Sequence, residues 1–350
     1  MNSFYNKKTV LVTGHTGFKG VWLCKMLTMF GAKVIGYALK PDTIENLYEL
    51  SKIENKMISI IGDIRDYDHL LRVMKKYQPE IVFHLAAQPL VIESYKNPKY
   101  TYETNVMGTV NLCECIRNVN SVKSFVNITT DKVYENKEWE WGYRENEHLN
   151  GFDPYSNSKS CSDIITQCYI KSFFCNGNIP TSIVRAGNVI GGGDFSDNRI
   201  IPDCINAAIK KEIIFVRNPN SIRPYQFVLE PLYVYLLIAE KQYNDSSYSN
   251  QYNVGPNELD CISTGNLVDI FCETWKEISW ETISKEDYHE ANLLKLDCSK
   301  VKNRLGWKPK YNISKAIEKV VEFVKLRQSG KCVGEIMELQ INEYTNLFKV

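Results

Sequence analysis

Thr13-Gly14-His15-Thr16-Gly17-Phe18-Lys19-Gly20 follows a short β-branched run, Thr9 to Thr13, and opens an amphipathic segment from Val21 to Phe30. Glycines at 14, 17 and 20 permit a tight turn, close approach of backbone N–H groups to a pyrophosphate, and close packing of a helix on a strand. The helix N-terminus then presents the positive end of its dipole to the phosphates. The stretch reads as the dinucleotide-binding turn of a Rossmann unit, with Gly14, Thr16, Gly17, Phe18, Lys19 and Gly20 as cofactor contacts. It is not a P-loop, because Lys19 is followed by Gly20 and not by Ser or Thr.

Outward from this turn, β-branched runs alternate with helical segments: Lys33 to Ala38, Ile58 to Ile61, Ile81 to His84, Ser124 to Thr129 and Thr181 to Arg185. Such alternation predicts βαβ units and a doubly wound parallel sheet. Long helices are expected from Lys99 to Arg117 and from Tyr155 to about Cys175; either could serve a dimer interface or lie buried. After Gly187 the alternation breaks up around Gly191-Gly192-Gly193 and Asn218 to Pro224. We therefore expect a Rossmann domain over 1–186 and a smaller substrate lobe over 187–350. The boundary is interleaved, because segments near 226–255 return to the first domain.

The chain has 350 residues, 44% hydrophobic and 24% charged, enough for a large core, and its formal charge of +1 offers no general field for nucleic acid or an anionic membrane. The eleven cysteines lack a CxxC pair and have no clustered His, so reduced thiols in a cytoplasmic setting are expected, and no metal. No run approaches the ~18 apolar residues that span a bilayer.

The second strand ends Gly36-Tyr37-Ala38-Leu39-Lys40, without the acidic residue that usually binds the adenosine ribose. Lys40 could pair with a 2′-phosphate, so this segment leaves NAD and NADP open. Asp63 and Ile64, after the third strand, offer a carboxylate and backbone to adenine.

Tyr155-Ser156-Asn157-Ser158-Lys159 sets a phenol and an ammonium on one helix face. The ammonium is expected to lower the phenol pKa, making a base for a hydroxyl proton while the same carbon gives up hydride. Asp153-Pro154 supplies the helix start. Thr129-Thr130-Asp131-Lys132 stands at the C-terminal end of the fifth strand, where open α/β sheets carry their chemistry. A hydroxyl, a carboxyl and an amine beside a YxxxK pair exceed the needs of a simple alcohol dehydrogenase.

With these residues in place the chain resembles the extended short-chain dehydrogenase/reductases, and among them the sugar-nucleotide 4,6-dehydratases. The likeness runs through Gly14 to Gly20, His84 to Val91, Thr104 to Thr109, Thr130 to Lys132, Glu138 to Glu145, Arg185 to Asp194, Leu229 to Leu232, His289 to Ala291, Leu296 to Lys300 and Leu305 to Trp307. Lys132 stands where most such dehydratases carry Glu, and members acting on CDP-glucose look like this sequence there.

The resemblance implies an NAD-dependent hydro-lyase converting CDP-glucose to CDP-4-dehydro-6-deoxyglucose, for the deoxysugars of surface polysaccharides such as lipopolysaccharide and capsule. It implies catalytic roles for Thr130, Asp131, Lys132, Tyr155 and Lys159. Tyr155 with Lys159 takes the 4-hydroxyl proton, Thr130 binds the 4-oxygen, Lys132 in a low-polarity setting removes the C5 proton, and Asp131, kept protonated, serves the leaving 6-hydroxyl. Further cofactor contacts are implied at Leu85, Ala86, Ala87, Gln88, Asn105 and Thr129, and substrate contacts at Gln88, Asn188, Arg199, Arg223 and His289.

A cytoplasmic homodimer is implied too. The sequence departs from the family at Ile92 (usually Arg), Phe227 (usually His) and Asn150 (usually Gly), two of which are expected to line the sugar or phosphate pocket. The rivals are a 4-epimerase or 4-reductase, which needs no acid and base at 131 and 132, and a non-catalytic nucleotide-sensing scaffold.

Overall fold

The computed structural model describes residues 1–41, 43–283 and 292–348. Strands β1 (Thr9–Thr13), β2 (Lys33–Ala38), β3 (Ile58–Ile61), β4 (Ile81–His84), β5 (Ser124–Thr130) and β6 (Thr181–Ala186) all form where expected, β5 and β6 each running one residue further. With Gln251–Val254 they make a seven-stranded sheet in the order β3-β2-β1-β4-β5-β6-(251–254), every pair parallel. Alternation sorts the side chains: Val10 and Val12 of β1 enter one core, Leu11 the other, and Phe83 and Val82 of β4 divide the same way. Burial on both faces is what a parallel sheet covered by helices requires.

The order reverses between β1 and β4, so the crevice beyond their C-terminal ends is the switch point where α/β sheets bind ligands. The helix after β1 spans Phe18–Met29. The long helix after β5 spans Pro154–Tyr169, capped by Asp153 Oδ1 accepting from Ser156 N at 2.9 Å, and closes in a wide turn, Ile170–Phe174. The helix expected from Lys99 to Arg117 is three pieces, Pro98–Tyr102, a wide turn at Glu103–Met107, and Gly108–Arg117.

Helix Leu229–Asn244 packs beneath β5 and β6 and feeds the strand Gln251–Val254 beside β6. Between β6 and that helix, and after the last strand, short pairs build the other wall of the crevice: Val189–Ile190 with Gln226–Phe227, Ile222–Pro224 with Cys261–Ser263, and Ile214–Val216 with Trp280–Thr282. The final helix, Val333–Asn346, comes back to pack on Phe18–Met29 and Leu47–Ser51, where Glu338 meets the buried Lys25 at 2.6 Å. Among the described residues no helix is long and apolar enough to cross a membrane.

Candidate active site

A cleft of about 1090 Å³ opens between the sheet's C-terminal edge and the second wall, lined by Phe18, Lys19, Thr129 to Lys132 and Tyr155 on one side and by Asn188, Arg199, Arg217 and Arg223 on the other. At its floor lies the glycine turn. Gly14 has φ +75°, and a Cβ there would meet Ala86 N at 2.7 Å; a Cβ on Gly20 would lie 2.1 Å from Gly14 O. These two glycines let the turn, the helix and the end of β4 close on one another. Gly17 is different, because a Cβ on it would meet only Gly14 O, at 3.5 Å, and it caps the helix with no side chain covering the first-turn N–H groups. That exposed backbone cradle fits a dinucleotide pyrophosphate.

Thr16 Oγ1 donates to Leu39 O at 2.9 Å, tying the turn to the end of β2. Asp63 and Ile64 follow β3 outside the cleft, and Asp63 lines a separate depression with Arg65, Glu103 and Asn111. Arg65 holds the Asp63 carboxylate with its guanidinium (Nη2–Oδ2 2.6 Å) and its backbone N–H (2.9 Å), and these hydrogen bonds keep the carboxyl below its ordinary range. The Ile64 side chain is buried in the core against Gly108, leaving only its backbone for a ligand.

At the reacting end, Thr130 Oγ1 donates to Asp131 Oδ1 at 2.9 Å and also reaches the Tyr155 phenol. Asp131 is buried, and Oδ2 has no partner among the described residues. Burial raises its pKa despite Lys132 and Arg223 nearby, which suits a carboxyl that carries a proton. Lys132 is only half-buried in a short turn, Asp131–Val133, at the cleft wall, so the low-polarity enclosure expected for it is absent.

The phenol corrects a second expectation. Burial pushes Tyr155 up to about 12, and Lys159, itself buried, donates its Nζ to Ile128 O at 2.9 Å. Burial and the charge of Lys19 draw Lys159 down to about 7. At neutral pH the ammonium is thus only partly charged and does not offset the phenol's desolvation.

Several expected contacts are not brought to the cleft. The Gln88 amide is spent on Leu90 O, Leu90 N and Thr101 Oγ1 at 3.1, 2.6 and 2.9 Å. Asn105 accepts from Gln88 N at 2.8 Å and donates to Gln88 O and Ser158 Oγ. Asn105 latches the loop after β4 to the Pro154–Tyr169 helix and Gln88 ties it to Pro98–Tyr102, a burial in which the amides find their partners inside the fold. Leu85 to Ala87 lie behind the glycine turn, with Ala86 N on Thr13 Oγ1. Thr129 lines the cleft while its hydroxyl points to Val184 O and Asp163.

On the far wall Arg199 pairs with the buried Asp194 at 2.8 Å, Arg223 is buried and lies near enough to Asp131 to act on its carboxyl, and Asn188 lines the space between. His289 lies outside the described residues. Of the three departures, Ile92 and Asn150 line the cleft, whereas Phe227 is fully buried against Tyr311, with ring centroids 5.6 Å apart. Sequence reasoning missed Arg217 and Asp203, which also line the cleft; burial pushes Asp203 up to about 6 while Arg217 opposes it. No motif marks either, and only the folding of Ile200–Lys210 against Ile214–Val216 pairs them.

A family model described as GDP-mannose 4,6 dehydratase matches residues 11–320. The chain belongs to this dehydratase family. Among relatives, the family member described here is 44% identical to the CDP-glucose 4,6-dehydratase of Salmonella typhimurium, over 98% of this chain and 97% of that protein. It is 26% identical to the dTDP-glucose 4,6-dehydratase of Haemophilus influenzae, over 92% of this chain and 99% of that one. In fold, this dehydratase-family chain is similar to dTDP-glucose 4,6-dehydratase from Bacillus anthracis in complex with NAD, with a TM-score of 0.77 at 21% identity, covering 92% of this chain and 98% of that one.

Proposed function

We propose that this chain is an NAD-dependent hydro-lyase that converts CDP-glucose to CDP-4-dehydro-6-deoxyglucose. The observation that carries the reading is the junction of Thr130, the buried Asp131 and Tyr155 at one point of the cleft, with Lys132 beside them. An epimerase or reductase has no use for a protonated carboxyl at that point. The 44% identity to a CDP-glucose 4,6-dehydratase supports the choice of nucleotide.

NAD, when bound, supplies the acceptor and later the donor of the hydride exchanged with the sugar. Gly17 and the N–H groups of Phe18 and Lys19 would hold its pyrophosphate, and Lys159 its ribose. Tyr155 takes the 4-hydroxyl proton, which requires its phenol to fall from about 12. The charge to lower it comes from Lys159 once the ribose and phosphates favour the ammonium. Lys132, as the free amine, removes the C5 proton, acidified by the neighbouring 4-ketone, and Asp131 gives its proton to the departing 6-hydroxyl, so water leaves whole. Arg199, Arg223 and Asn188 face the substrate's pyrophosphate and base, residues 187–350 supplying most of that wall.

A homodimer in the cytoplasm, supplying deoxysugars for surface polysaccharide, completes the reading. Exposed Met107, Ile164 and Phe173, along the segments 98–117 and 154–174, support such an interface. The test is incubation with NAD and, separately, CDP-glucose, dTDP-glucose, UDP-glucose and GDP-mannose, following loss of water by mass spectrometry and the alkaline absorbance of the 4-keto sugar. Dehydration of CDP-glucose alone is expected, and turnover without dehydration would overturn the reading.

A further inference from the structure

Thr130, Asp131 and Lys132 belong to the end of β5 and the short turn Asp131–Val133, while Tyr155 and Lys159 ride on the helix Pro154–Tyr169. The chain between them, 134–153, holds no helix and only single β-bridges. Two buried ties fix one element to the other. Ser160, next to Lys159, donates from Oγ to Val133 O at 2.7 Å and accepts from Gly151 N at 3.0 Å. The second tie is the Tyr134 hydroxyl. It accepts from Arg185 Nη1 at 2.8 Å and donates to Asn253 Oδ1 at 2.6 Å, and the same guanidinium grips Asp163 on the helix. Burial pushes the phenol up, so it keeps its proton for that donation. Tyr134, Arg185 and Asn253 are all excluded from water, and the Tyr134 ring stacks on Tyr143 with centroids 5.2 Å apart and planes within 15°. A hydroxyl with both a donor and an acceptor partner, on a stacked ring, is held in one orientation. The turn is thus anchored at both ends, by Thr130 in the ladder opposite Ala186 and by Tyr134.

Resting on the dehydratase reading above, the two stages of the reaction make different demands on these ties. Oxidation at C4 uses Tyr155 and Lys159, whose helix keeps its Arg185–Asp163 pair, its Asp153 cap and its Asn105–Ser158 bond without Tyr134. Elimination across C5 and C6 uses Asp131 and Lys132, which must meet a ketone formed against that helix. We infer that the Tyr134 hydroxyl is a positioning group for the elimination: held by Arg185 and Asn253, it sets the Asp131–Val133 turn against the helix of Tyr155, so that base and acid meet C5 and C6 of the sugar oxidised there. A displacement of reacting groups by about 1 Å costs on the order of a hundredfold in rate, and loss of one tie out of two gives part of that.

The experiment mixes the whole protein and NAD with CDP-glucose in a stopped-flow instrument and follows NADH absorbance, beside steady-state turnover of CDP-glucose carrying hydrogen or deuterium at C5. In Tyr134→Phe, which keeps the ring stack, NADH should form at its former rate but build up. Its kcat should fall about tenfold with KM near its former value, and the C5 isotope effect on kcat should grow as proton removal becomes slow. Ser160→Ala cuts the other tie and should repeat the pattern, which supplies the same test if Tyr134→Phe does not fold. A raised KM with kcat unchanged would make Tyr134 a substrate contact, and parallel loss of NADH formation and turnover would give it a purely structural part. Either result overturns the inference, as does unchanged behaviour in both variants. Absence of both NADH and dehydration in the unaltered protein would instead overturn the dehydratase reading.

Discussion

Arg185 and Asp163 meet as a two-pronged pair, Nε to Oδ2 at 2.7 Å and Nη2 to Oδ1 at 3.0 Å, with both side chains excluded from water. Arg185 lies at the end of β6 and Asp163 one turn beyond Lys159 on the Pro154–Tyr169 helix. The same guanidinium donates to Tyr134 Oη and to Glu145 O, both at 2.8 Å. One buried cation thus ties the helix of Tyr155 and Lys159 to the chain that leaves Lys132. Arg185→Met should lower the unfolding free energy by about 3–5 kcal/mol, because it strands the Asp163 charge in the interior. Urea unfolding measures this, and a loss under about 1 kcal/mol would show the pair to be of little account.

Lys132→Ala removes the group placed to take the C5 proton without touching the glycine cradle. NAD should bind as before, the 4-hydroxyl should still be oxidised, and no 4-keto-6-deoxy product should form. Mass spectrometry of the sugar and titration of NAD check the two halves separately. Ordinary turnover in this variant would remove Lys132 from the mechanism.

Dinucleotide binding should take up protons above neutrality. Lys159 is drawn to about 7 and Lys19 to about 8, both from an ordinary value of 10.5, so folding makes each easier to deprotonate. Their burial therefore destabilises the folded chain fully below about pH 7, and the cost is relieved as pH climbs toward 10.5. Anionic phosphates favour the charged forms. Calorimetric titration of NAD in two buffers of different ionisation enthalpy should show proton uptake at pH 8 that fades toward pH 6, where both amines are already charged. Proton release at pH 8 would contradict these shifts.

Arg65→Ala tests the adenine end. Arg65 fixes the Asp63 carboxylate and lies on the Tyr100 ring, 4.9 Å from its centroid. A carboxylate held as an acceptor suits the adenine amino group, so the variant should bind NAD roughly threefold to tenfold more weakly. The analogue with hypoxanthine in place of adenine, which offers no amino group, should lose less. An equal loss for both dinucleotides would assign Arg65 a purely structural part.

Ile92→Arg and Phe227→His put in the residues that the resemblance implies at these positions and should behave oppositely. Ile92 lines the cleft, and its change should alter the KM for the sugar nucleotide while leaving stability near that of the parent. Phe227 is buried on Tyr311, and an imidazole there should cost about 1–3 kcal/mol with little change in nucleotide preference. A shift in nucleotide choice from Phe227→His alone would reverse this assignment.

The sequence by itself determined the sheet and its ligand edge. Alternation at β1, β4 and β5, the glycines at 14, 17 and 20, and the Asp153-Pro154 start of the long helix are local signals, because side-chain period, positive φ and capping act within a few residues. It also placed Thr130, Asp131, Lys132, Tyr155 and Lys159 on the elements that carry them. Only the tertiary structure decided what those groups experience. The phenol at about 12, the amine at about 7 and the burial of Asp131 all depend on chain segments far away in sequence. Likewise Gln88 and Asn105 carried the right residue types for a site but were spent on latching, and Phe227 went to packing. Desolvation and Coulomb forces act through space, so a pattern along the chain names the groups while the fold assigns their charges and partners.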